Sequence, residues 1–210
     1  MSADHTRAAI KAAETLIKYN VQTSPVSPLP ILERIDNVLV ASFAELDERS
    51  EFNYHKLIPA FGMGRDAFTS IHPGPVYVVA YNSLLPDGMI RGALARELGH
   101  IILGHEKNTE ENAAEALTFA IHFLCPRPLV HAVEALCIKV TDGIIADLTG
   151  VHSLYSVRRI PGTEVPAKLN KFIRNQFMPF IANFFTVYQT TPKDFSAVAD
   201  LGTFMDCYAE

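Results

Sequence analysis

The sequence predicts an α+β fold that is mostly helical. A small antiparallel sheet is expected to pack on a long helix near the middle of the chain, followed by a helical C-terminal part. Three observations predict this. Apolar residues recur at three- and four-residue steps over residues 4–19, 86–104, 109–124 and 165–188, the period of a buried helix face. β-Branched and aromatic residues concentrate in VLVASFAEL (38–46) and PVYVVAYN (75–82), the composition of strands. Apolar residues make up 49% of the 210, ample for a packed core and against wholesale disorder.

Residues 4–19 carry Ala8, Ala9, Ile10, Ala12, Ala13, Leu16 and Ile17, an alanine-rich helix. SPVSPLP (24–30) ends it, because closely spaced prolines cannot continue a helix, and ILERIDNV restarts a short one. Between the strands at 38–46 and 75–82, FGMGRDAFTSIHPGP is punctuated by glycine and proline and accommodates one or two further short strands. PDGMI then opens a helix of about twenty residues that carries Ile90, Leu94, Ile101 and Ile102, and Gly104 is the natural place for it to end. A second helix runs from Thr109 to Leu124 and stops at Cys125-Pro126-Arg127-Pro128. Further helical segments are expected at about 128–139, 142–149 and 152–159. Last, residues 165–188 place Leu169, Phe172, Ile173, Phe180, Ile181, Phe184 and Phe185 on one wide stripe, extended by Phe177 and Tyr188, with a kink expected at Pro179. So apolar a face must be covered. Docking on the body of the same chain is the favoured expectation, and a homodimer through this helix is the alternative.

With 18 basic and 23 acidic residues the chain carries −5, which argues against gripping phosphate backbones over a broad surface. Arg158-Arg159 does not change that, since helical hairpins packed for structure are far commoner than DNA-binding ones. No direct nucleic-acid partner is expected. Cys125, Cys137 and Cys207 are widely spaced and form no C-x-x-C, so neither a disulfide framework nor a thiolate zinc site is indicated. The opening residues lack a signal-peptide pattern, and no apolar run approaches the ~20 residues that span a bilayer. The expectation is a soluble, cytoplasmic protein with no membrane partner.

The chemistry concentrates in RGALARELGHIILGH (91–105). Residues four apart share a helix face, so two histidines in H-E-x-x-H give a zinc ion two ligands from one rigid element, with the glutamate as general base. Here Glu97 and His100 stand in that register, but Arg96 stands where the first histidine belongs. Gly99 allows close approach of another element. The following helix offers Glu111, Glu115, Thr118 and His122 on one face, and Glu115 is flanked by Ala114 and Ala116.

RGALARELGHIILGH followed by EALTFAIHFLCP resembles the ImmA/IrrE family of zinc metallopeptidases. Arg91, Ala95, Glu97, Gly99, His100, Glu115, Ala116, Phe119, Ala120 and Pro126 match that family's pattern in order. The likeness is dense over 91–126 and thin over the rest of 1–160, while 161–210 finds no counterpart. The division implied is a peptidase-type domain with trailing helical segments over 1–160 and a docked helical extension over 161–210. The resemblance implies a zincin-like (gluzincin-like) site of two histidines and a glutamate on zinc. It also implies substrates of the helix-turn-helix repressor class, often from mobile elements or stress regulons. Carried over, Glu97 is the base, His100 the second histidine ligand and Glu115 the glutamate ligand; the first histidine falls on Arg96.

Arginine keeps its proton in a protein and offers a metal no lone pair. Losing even an indirect partner of a ligand costs ~10–100-fold in metal affinity, and losing a ligand itself costs at least that. The set His100 and Glu115 is therefore incomplete. The expectation is no bound cofactor, with zinc only where a substitute ligand exists. Arg96 is expected to replace the cation by bridging one or two of the carboxylates of Glu97, Glu115 and Glu111. Of the substitutes, His105 lies past the helix end, His122 about two turns from Glu115, and His72 in a loop, and each reads as an ordinary histidine. A catalytically impaired member that acts in regulation by binding a repressor-like or other protein partner is favoured. An active zinc endopeptidase with a changed ligand set is the alternative.

Overall fold

Ala8, Ala9, Ala12, Ala13 and Leu16 are all buried on one face of the first helix, α1 (His5–Lys18). The computed structural model describes residues 2–49, 66–74, 76–135, 142–150 and 163–190. Asp4 starts α1, its side chain accepting the Arg7 N–H at 2.8 Å. The proline-led segment gives a single turn, α2 (Leu29–Leu32), two residues earlier than expected, since Pro28 and Pro30 pre-set the backbone for a helix start.

Strand β1 (Val38–Ser42) is shorter than the predicted 38–46. Ser42 and Glu45 form a reciprocal cap: the Glu45 N–H donates to Ser42 Oγ at 3.2 Å, and the Ser42 N–H donates to Glu45 Oε2 at 2.7 Å. That S-x-x-E pairing turns the remainder into a helix, α3 (Phe43–Arg49). Strands β2 (Ala67–His72) and β3 (Val76–Tyr81) form an antiparallel hairpin, while β1 lies parallel to β3, in the order β1-β3-β2. The sheet is thus mixed, not antiparallel as the sequence suggested. Residues 43–66 intervene between β1 and the hairpin, long enough for the crossover that brings a chain back in the same direction.

Five helices follow: α4 (Asp87–Leu103), α5 (Glu110–Leu124), α6 (Arg127–Glu134), α7 (Asp142–Thr149) and α8 (Ala167–Thr190). The rest of the segment expected at 128–139, from 136 on, and the one expected at 152–159 lie outside the described residues. Helix α4 packs on β2 and β3 and against α5; α1 lies across α5, and α8 covers α1 and α6. One core joins Leu16, Leu94, Leu98, Phe119, Phe123, Ile173 and Phe177.

The apolar stripe of α8 divides as docking on its own chain requires. Ile173, Phe177 and Ile181 are buried, whereas Phe172 is half exposed. The side chains of Phe185 and Tyr188 lie outside the described residues. Gln176 fastens the helix, its amide donating to the Leu16 carbonyl in the last turn of α1 and to the Val21 carbonyl just beyond it. Pro179 is carried inside α8 and does not end it. Among the described residues no helix is long and apolar enough to cross a membrane.

Candidate functional site

Gly99 sets how closely α4 and α5 approach. A Cβ on Gly99 would lie 3.1 Å from the Ala116 carbonyl oxygen, 3.1 Å from Phe119 and 3.2 Å from the Ala116 Cα. Helix backbone cannot yield as a flexible side chain does. Gly99→Ala gains helix propensity of about 0.5–1 kcal/mol, but overpacking against fixed atoms costs about 1–3 kcal/mol. The net expected result is a urea midpoint lowered by the equivalent of about 1 kcal/mol; an unchanged or raised midpoint would refute this close packing.

This contact brings four chemically active side chains into one neighbourhood. Glu97 is 8% exposed and points at the sheet, where Thr69 Oγ1 donates to its Oε2 at 2.7 Å. Burial raises the Glu97 pKa, opposed by the Thr69 hydrogen bond and the nearby Arg96 charge. His100 is pushed down to about 4, chiefly by burial, then by the charges of His105 and Arg96. It is a neutral imidazole at neutral pH.

His105 departs most from the sequence reading. It does lie past the helix end, but Gly104 caps α4 in the left-handed conformation (φ 70°, ψ 38°) and folds the chain back. The His105 ring ends 5% exposed, not on the surface. Its Nδ1 is 3.1 Å from His100 Nδ1, and its Nε2 is 3.3 Å from Glu115 Oε2. With both rings neutral, one tautomer set satisfies these contacts. His105 Nε2–H donates to Glu115, His100 Nδ1–H donates to His105 Nδ1, and His100 Nε2 keeps its lone pair. The readable signal was the glycine before His105, whose αL turn makes position 105 a neighbour of position 100.

Glu115 has further partners, and Arg96 is not among them. Its Oε1 accepts the Asp4 N–H at 2.9 Å, and its Oε2 lies 3.5 Å from Arg7 Nη1. Arg7 Nη2 also donates to the Leu103 carbonyl at 2.7 Å, and His5 Nδ1 meets Thr118 Oγ1 at 2.7 Å. The start of α1 therefore holds α4 and α5 together here. Among the described residues Arg96 makes no ion pair with Glu97 or Glu115, and its buried Nε has no hydrogen-bond partner. The expected Arg96 bridge to Glu97 or Glu115 is thus corrected: at Glu115, Arg7 and His105 supply the charge and the hydrogen bond. Nothing in the sequence linked Asp4 or Arg7 to Glu115 across more than a hundred residues.

The remaining histidines are placed plainly. His122 is 4% exposed, meets Thr163 Oγ1 at 3.1 Å, and is lowered to about 4 by burial and then by Arg127. His72 ends β2, not a loop, and is exposed beside Ser70 Oγ at 3.0 Å.

Arg96, Glu97 and His100 open onto a groove of about 730 Å³, walled by Thr69 and Ile71 of β2 and by Leu117 of α5. Strand β2 is an edge strand among the described residues. The residues present do not fit a zinc ion at positions 96, 100 and 115. Arg96 offers no lone pair, while His100 Nδ1 and Glu115 Oε2 are both engaged by His105. Among the described residues no three His, Cys, Asp or Glu side chains are gathered so as to hold a metal.

The comparison with family models matches residues 48–148 to the IrrE N-terminal-like domain. No curated protein and no solved structure matches the chain. The matched stretch contains β2, β3, α4 and α5, and with them Arg96, Glu97, His100, His105 and Glu115. Residues 48–148, just under half of the chain, are thus similar to the IrrE N-terminal-like domain of the ImmA/IrrE metallopeptidase-like family.

Proposed function

We propose that this protein keeps the metallopeptidase-type scaffold without its catalysis and acts in regulation by binding a protein partner, of the helix-turn-helix repressor class that the family's substrates suggest. The observation that carries this reading is the state of the centre. Arg96 stands in the first ligand position, and Glu115 is committed to Asp4, Arg7 and His105. The groove supports the binding half. Ile71 and Leu117, 45% and 42% exposed, give it apolar walls beside β2, the edge strand among the described residues, a setting that accepts an extended segment of another chain.

Metal analysis of protein purified without chelator tests the loss of catalysis. The expected result is zinc far below stoichiometric in the parent chain and clearly raised in Arg96→His. A second reading, an active zinc endopeptidase with a substitute ligand, is favoured by one distance. His100 Nδ1 and His105 Nδ1, 3.1 Å apart, are spaced much as two nitrogens on one ion would be at Zn–N of about 2.0–2.1 Å. Near-stoichiometric zinc in the parent, lost in His105→Ala, would establish that reading and overturn the first.

A further inference from the structure

A second cleft lies between α6 and α8 and shares no residue with the groove above. Its volume is about 370 Å³, within the range of about 300–1,000 Å³ typical of small-molecule sites. Two polar side chains come from each helix: Arg127 and His131, four apart on α6, and Lys171 and Arg174, three apart on α8, so that three fixed positive charges line the cleft. Those spacings put each pair on one helix face, so both pairs line the same space. Pro128 and Ala132 supply an apolar floor between them. Among the described residues Arg127, Lys171 and Arg174 are in no ion pair with a carboxylate. In a chain of net charge −5, such a concentration of basic side chains is out of keeping with the whole.

We propose that this cleft binds a small phosphate-bearing ligand with an apolar or aromatic body. The charge calls for a dianion, and a forked guanidinium on either side matches phosphate oxygens. The apolar floor calls for more than a bare ion, because a free phosphate would leave it wetted and unused. Arg127 is already positioned, its Nη1 donating to the Thr163 carbonyl at 3.4 Å, so its remaining nitrogens stay available to the ligand. Lys171 and Arg174 are exposed and close the other side.

Phenyl phosphate, inorganic phosphate and benzoate separate these requirements when titrated into the full chain, with the His131 ring protons followed by NMR. Saturable shifts are expected with phenyl phosphate, with inorganic phosphate and benzoate each weaker by about tenfold or more. Lys171→Glu with Arg174→Glu should weaken phenyl phosphate by at least about tenfold at unchanged Tm, since both side chains are exposed. Lys168→Glu makes the same change of charge as Arg174→Glu alone, on α8 but outside the cleft, and should leave binding unaltered. No saturable shift at ~10 mM phenyl phosphate, equal binding of benzoate, or a Lys168→Glu effect as large as that of Arg174→Glu would each overturn the proposal.

Discussion

Phe177→Ala should destabilise the whole protein by about 3–5 kcal/mol, the cost of emptying a fully buried phenyl site. Phe177 is 0% exposed and shares one core with Leu16 of α1 and with Phe119 and Phe123 of α5. Helix α8 is also tied to the end of α1 through Gln176. The loss should therefore appear in global unfolding, as a single denaturant transition with a lowered midpoint and an unchanged slope. A loss of helical signal well before the main transition would instead mean that α8 unfolds separately. In that event the helix would be an appended element, and the shared core would not be one cooperative unit.

The second large effect is acid sensitivity from His122. Its pKa in the folded protein is about 4 against 6.5 for the free side chain, because burial and then Arg127 disfavour its charged form. Between those values the unfolded chain takes up a proton that the folded chain refuses. Stability from this group is thus fully present above pH 6.5, falls as the pH drops towards 4, and levels off below. A displacement of that size amounts to about 3 kcal/mol across the window. Comparing urea midpoints of the parent and His122→Gln isolates it, since glutamine does not titrate. The difference between the two should shift by about 3 kcal/mol in favour of the variant as pH falls from 7 to 4. Parallel curves would show that His122 accepts its proton without penalty in the fold.

The sequence was most legible where a local rule acts alone. Helix α4 begins and ends where PDGMI and Gly104 place it, and α7 occupies the predicted 142–149. Gly99 was recognisable as a point of close approach because its flanking pattern already placed two helices together. Failures came where two local rules compete or where partners are far apart in the chain. VLVASFAEL has strand composition throughout, yet the Ser42–Glu45 cap prevails after Ser42. The direction of β1 depends on a connection whose course no residue pattern announces. At the centre, Glu97, His100 and Arg96 were readable from register, but the partners of Glu115 were not. His105 reaches it through a backbone turn, and Asp4 and Arg7 through the packing of α1 across α5.

The Asp4–Glu115 hydrogen bond joins residues 111 positions apart, and the Gln176 bonds to Leu16 and Val21 span 160 and 155. Closing a loop of the first size costs about 4 kcal/mol of chain entropy before any contact repays it. Such contacts come late, after the locally built hairpin and helix pairs have formed. The share of the centre that α1 contributes therefore carries the largest closure cost. A chain that had not yet met it would hold an α4–α5 pair in which His105 reaches Glu115 while Asp4 and Arg7 do not.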